Sequence, residues 1–170
     1  MKYKFIFEFT DNYIYYYDKF KRILYEEKIP NDIVVLNKIY DYIKLSKIIN
    51  NVLNKQKLLN NMKKNIIGIL LFEKISPAEQ YLYKLLFNNI TNIDVKFIYV
   101  SNYFDKKHIF ISGNLVYYEQ ELLNYNLNAG EYILIGNGFD INKIKSDLLI
   151  RMKINILLYE NSNTIIYEKV

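Results

Sequence analysis

Lys4 to Pro30, "KFIFEFTDNYIYYYDKFKRILYEEKIP", decides the fold. Apolar and polar residues alternate up to Thr10-Asp11-Asn12 and resume beyond it, the pattern of two strands joined by a tight turn. "KFKR" is a second turn and "ILYEEKI" a third strand, which Pro30 ends. The chain therefore opens as a three-stranded antiparallel meander.

Working outward, the apolar period changes. Leu36, Ile39, Tyr40, Ile43, Ile48, Ile49, Val52 and Leu53 fall mostly three or four apart, which predicts a long helix over 36–59, broken near Ser46. "IIGILLF" (Ile66 to Phe72) is apolar without alternation, as a strand buried on both faces should be. In "SPAEQ", Ser76 is an N-cap, Pro77 takes the first helical position and Glu79 closes a capping box. Asp94 to Ser101 is a further strand. His108 to Tyr118 reads as a hairpin around Ser112-Gly113-Asn114. "EQELLNYNLNAG" is a short helix or loop. "YILIGNGFDINKIKSDL" (Tyr132 to Leu148) gives a strand to Ile135, a turn at Gly136-Asn137-Gly138 and a helix from Asp140 to Lys153. "INILLYE" and "TIIYEKV" are two closing strands. No linker, repeat or boundary is visible, so a single domain over 1–170 is expected. Strands alternate with helices after the meander, which defines an α/β fold.

Composition narrows function. A chain of 170 residues with 51% hydrophobic, 16% aromatic and 24% charged residues is globular and builds a sizeable core. It has no Cys and one His, His108, so disulfides and Cys- or His-built zinc sites are excluded. No apolar run is long enough to span a bilayer, and the opening residues lack a signal-peptide cleavage pattern. A cytoplasmic protein is expected. The net charge of +5 is spread among acids, and its densest stretch, "NKQKLLNNMKK" (Asn54 to Lys64), lacks arginine and aromatics. Nucleic acid is therefore not the expected partner.

A meander followed by α-β-α-β is the order of the ribonuclease H-like and actin-like group, and three stretches resemble that family. "FIFEFTDNYIYYYDKFKRILYEEKIP" resembles its first hairpin, whose Asp-x-Gly-Thr turn holds phosphate. "NIIGILLFEKISPAEQYLYKLLFNNITNIDVKFIYVS" resembles the strand, capped helix and strand that follow. "YILIGNGFDINKIKSDLLIRMKINILLYE" resembles the late strand, glycine turn, helix and strand that help hold adenosine. The resemblance implies a three-layer fold reduced to about one subdomain, with a mixed sheet and helices on both faces. It marks Thr10, Gly136 and Gly138 as relics of a nucleotide site. The departures imply loss of that site: the turn Glu8-Phe9-Thr10-Asp11 has no glycine, and Asp11 adds a charge that repels phosphate.

The remaining candidates are few. Gly136 and Gly138 either approach a nucleotide at a helix N-terminus or serve a strand-to-helix turn capped by Asp140. Glu8, Asp11, Asp18 and Asp94 would be the acids of a metal-dependent nuclease, but the strand that should supply their partner carries none. No metal, cofactor or catalytic residue is assigned. His108 would need a positioned partner to act. The chain has 18 Tyr, and Tyr13, Tyr15 and Tyr17 share one strand face. Either its rings cover the sheet, or the face is exposed as a protein interface, for which Tyr13, Tyr15 and Tyr17 are the candidates. The expected function is a non-catalytic scaffold module that binds a protein partner or another copy of itself. By resemblance the assembly is a prokaryotic cell-shape, division or pilus platform. A small nucleotide-binding or nuclease domain, and a phage accessory protein binding a host protein, are the other readings.

Overall fold

The computed structural model describes residues 3–56, 64–90, 92–123, 127, 130–137, 155–160 and 164–170, with the backbone alone at 137 and 155–160. The chain divides into two compact units, Met1–Leu70 with Ile75–Ile98, and Leu71–Lys74 with Tyr99–Val170. Both are mixed α/β in character, with strands predominating among the described residues.

In unit 1 the meander is β1 (Phe5–Phe9), β2 (Tyr13–Asp18) and β3 (Ile23–Lys28), paired antiparallel in sequence order. The short strands β4 (Val34–Val35) and β5 (Lys38–Ile39) form a separate hairpin. Helix α1 (Tyr42–Lys55) follows, then β6 (Asn65–Leu71), α2 (Pro77–Leu85) and β7 (Ile93–Tyr99). The sheet order is β3-β2-β1-β6-β7, with β6 parallel to β1. Phe5, Phe7 and Phe9 share a face with Ile14 and Tyr16 of the antiparallel partner. Phe87, just past α2, meets Phe7 edge-on at 5.4 Å, and Tyr83 of α2 meets Phe9 at 5.5 Å. The end of α1 reaches the same face, where Lys55 pairs with Glu27 at 3.1 Å. Among the described residues of unit 1, α1 and α2 thus contact one face, where helices on both faces were expected. The chain steps one way across the sheet, from β1 to β6 to β7, and right-handed crossovers taken in one direction put their helices on one side.

Unit 2 builds a second five-stranded sheet rather than extending the first. Its strands are β8 (His108–Ser112), β9 (Leu115–Tyr118), β10 (Glu121–Leu122), β11 (Glu131–Asn137) and β12 (Asn155–Glu160). The order is β10-β9-β8-β11-β12, again a meander whose first strand pairs parallel with the strand that follows it. A core of Ile109, Ile111, Tyr132 and Leu134 lies on this sheet. Helix α3 (Ile165–Lys169) ends the chain.

Three local expectations are corrected. The helix predicted from Leu36 starts at Tyr42, because Asp41 caps it by accepting from Lys44 N at 3.0 Å, and it passes Ser46 without a break. Residues 57–59 of that prediction lie outside the described residues. The closing strand "TIIYEKV" is helical: Glu168 N donates to Thr164 O at 2.9 Å, and burial of Ile166 and Tyr167 outweighs strand propensity. "EQELLNYNLNAG" contributes the short strand β10.

The capping box is present in full. Glu79 N donates to Ser76 Oγ at 3.2 Å, and Ser76 N donates to a Glu79 carboxylate oxygen at 2.7 Å. Ser76→Ala is expected to lower stability by about 1 kcal/mol, read from the urea midpoint.

Candidate functional site

Thr10 sits in the β1–β2 turn, and the turn closes on itself. Thr10 Oγ1 donates to Tyr13 O at 2.9 Å and accepts from Tyr13 N at 3.1 Å. Asp11 accepts from Asn37 N at 2.7 Å, which ties this turn to the β4–β5 hairpin. The polar groups that would meet a phosphate are engaged inside unit 1. Gly136 lies within β11 rather than in a turn, since the ladder to β8 continues through Gly136 and Asn137. A Cβ at Gly136 would run into the carbonyl oxygen of Ile111 and come 2.8 Å from Ile111 C. Close strand approach accounts for this glycine. Gly138 and the predicted helix from Asp140 lie outside the described residues.

The tyrosine face is not an exposed one. Tyr15 and Tyr17 are buried and Tyr13 is half-buried. Their rings cover the sheet, with Tyr13 and Tyr15 5.8 Å apart. Burial first, then the negative Glu8 and Glu26, push the Tyr15 phenol above its ordinary range, so it stays protonated at neutral pH. The four acids serve separate places. Glu8 is buried in β1. Asp18 accepts from Phe20 N and Lys21 N, closing the β2–β3 turn. Asp94 pairs with Lys96 at 3.2 Å. Among the described residues no group of three or more His, Cys, Asp or Glu side chains is placed to hold a metal.

Two features were not singled out in the sequence. The first is an exposed apolar corner in unit 1. Val35, Leu36, Tyr40 and Ile43 are 42%, 56%, 79% and 66% exposed. Leu36 and Asn37 are the loop of the β4–β5 hairpin, with φ of 52° and 58°, the two positive values of a type I′ turn. Asn tolerates this backbone, whereas Leu does so at a cost of about 1 kcal/mol. The neighbouring charges are paired: Lys38 with Glu79 at 3.4 Å, and Lys44 with Asp32 at 2.8 Å and Asp41 at 3.2 Å. The Lys44 ammonium's hydrogen bond holds the Asp32 carboxyl below its usual range, the hydrogen bond from Lys44 N does the same for Asp41, and the two carboxylates raise the Lys44 ammonium.

The second is the setting of His108 in unit 2. His108 Nδ1 donates to Asp105 Oδ1 at 2.7 Å, so the partner that function would need is present. Hydrogen bonds from Lys107 N and from His108 hold the Asp105 carboxyl below its ordinary range. An ionised carboxylate only accepts, which puts a proton on Nδ1. The sequence signal was the Asp-x-x-His spacing of Asp105 and His108, which a strand-start turn folds together: Lys107 N also donates to Asp105 Oδ1 at 2.9 Å.

The fold and these sites define a mixed α/β protein of two units. No protein-family model, no curated protein and no solved structure matches the chain.

Proposed function

We propose that this chain is a non-catalytic protein-binding module on a degenerate actin-like or ribonuclease H-like scaffold. The carrying observation is the exposed corner at residues 35–43, where Leu36 is exposed in a backbone conformation that folding disfavours. Strained, apolar and solvent-facing residues are retained where they meet a partner. The corner's lysines are paired and it holds no arginine, so it suits an apolar protein surface better than a polyanion. The sheet edge β3 carries Glu26, Glu27 and Lys28, charges that discourage edge pairing. The scaffold reading is supported by the meander–helix–strand–helix–strand order of unit 1 and by the recurrence of its strand order in unit 2. The engaged Thr10–Asp11 turn supports a non-catalytic role.

The test separates folding from binding. Leu36→Asn is expected to raise stability by about 0.5–1 kcal/mol, by relieving the positive φ. It is also expected to weaken association about tenfold or more. A photo-cross-linking residue at Tyr40, in the source cells, should give one discrete protein adduct that Leu36→Asn and Ile43→Asp abolish. An adduct of twice the chain's own mass would identify a second copy as the partner. Absence of an adduct, or one indifferent to both substitutions, sinks the proposal.

A further inference from the structure

We infer that β7, the far edge of the unit 1 sheet, pairs antiparallel with β7 of a second copy of this chain, in the register that sets Asp94 against the partner's Lys96.

The order β3-β2-β1-β6-β7 leaves one strand at each end of the sheet. The β3 edge guards itself with Glu26, Glu27 and Lys28. The β7 edge is longer, "IDVKFIY" over seven residues, half-buried at every position but Ile98, and it carries one charge of each sign. Among the described residues no strand continues the sheet beyond it. Asn65 N donates to Asn92 O at 2.8 Å, so alternate residues from Asn92 onward turn their backbone toward β6. Ile93, Val95 and Phe97 therefore turn their N–H and C=O groups outward, where they form a template for another strand.

Charge selects the occupant and the register. A two-fold contact uses the same patch on both copies, so the paired strands are centred on one residue. Centring on Asp94 or on Lys96 sets like charges directly opposite, which is destabilising. Centring on Ile93 or Phe97 gives neither charge an opposite partner. Centring on Val95 sets Asp94 opposite the partner's Lys96 and Lys96 opposite the partner's Asp94. It also sets Ile93 opposite the partner's Phe97, twice over, and lets the two Val95 residues exchange both their hydrogen bonds. In the single chain Asp94 and Lys96 already lie on one side of the strand, 3.2 Å apart.

The shape of the edge agrees. Phe97 lies on the helix side, where its ring meets Tyr83 of α2 at 6.3 Å and Lys84 Nζ is 5.7 Å from its centroid. Strand alternation puts Ile93 and Val95 on that side too. A recess of about 330 Å³ runs along β7, lined by Lys84, Phe87, Ile90, Ile93, Val95 and Lys96 among others. The partner's Phe97, opposite Ile93 on the helix side, enters this recess. The contact uses none of the residues of the corner at 35–43.

Analytical ultracentrifugation of the full chain should show a concentration-dependent monomer–dimer equilibrium. Asp94→Lys and Lys96→Glu, each of which sets two like pairs opposite, should each weaken it about tenfold or more. An equimolar mixture of the two variants should dimerise again, because every opposite pair is then of unlike charge. Amide exchange at Val95 should slow as the native dimer forms. Leu36→Asn should leave this dimer intact, which separates it from association through the corner. Both substituted side chains are partly exposed, Asp94 at 31% and Lys96 at 42%, so the variants keep the fold. A native chain that stays monomeric overturns the inference and leaves the edge to an extended segment of another protein. A dimer indifferent to both substitutions, or one that the mixture does not restore, overturns it as well.

Discussion

Gly136→Ala is expected to remove roughly 3 kcal/mol or more of stability, a large fraction of the 5–15 kcal/mol typical of a folded domain. The added methyl would collide with the carbonyl oxygen of Ile111, in the strand paired with it, and sit 2.8 Å from Ile111 Cβ. Backbone held in the ladder on both sides, by Ile135–Phe110 and Asn137–Ser112, cannot give way without disturbing the β8–β11 pairing. Gly68→Ala is the control. There the methyl would press on Cδ1 of Ile98, the flexible end of a side chain, with Tyr3 Cδ1 at 3.3 Å and Ile6 Cγ1 at 3.4 Å. A rotamer change accommodates it, and a loss of about 1 kcal/mol is expected. Urea midpoints of the two variants read the difference. A Gly136→Ala protein as stable as Gly68→Ala would mean that the strands do not approach closely there. The nucleotide reading of Gly136 would then regain its ground.

Local signals in the sequence were read correctly where local physics sets the structure. The alternation around Thr10-Asp11-Asn12 became β1 and β2, Ser76 and Glu79 closed their capping box, and Gly113 turned the β8–β9 hairpin with a φ of 59°. Non-local pairing was not legible. Which strands share a sheet depends on partners far along the chain, so the second sheet and the recurrence of its strand order left no period to count. The β3 strand has six residues and its counterpart β10 has two, which hides the recurrence from any comparison of segments. The tyrosine face shows the same gap: alternation places Tyr13, Tyr15 and Tyr17 together but says nothing of what covers them. The β4–β5 hairpin was missed because Leu36-Asn37 lacks the Asn-Gly signature of its turn, and that mismatch makes the corner a functional candidate.

Phe7→Ala should destabilise the chain by about 3–5 kcal/mol, against about 1 kcal/mol for Phe7→Leu. Phe7 is fully buried on β1, the strand that pairs with both β2 and β6. Its ring stacks on Tyr16 at 5.6 Å and on Phe9 at 6.2 Å, and takes the edge of Phe87 at 5.4 Å. Tyr16 in turn stacks on Tyr25 at 5.0 Å, so one line of rings runs from the turn after α2, across β1 and β2, to the edge strand β3. Removing Phe7 opens the middle of that line, where neighbours on two paired strands cannot close in without shifting both ladders. Phe20 is the matched control, 58% exposed in the β2–β3 turn, and Phe20→Ala is expected to change stability by no more than about 0.5 kcal/mol. Equal losses at the two positions would show that the ring line does not organise unit 1. The meander would then have to be held by its hydrogen-bond ladder, which a methyl-sized residue at position 7 leaves intact.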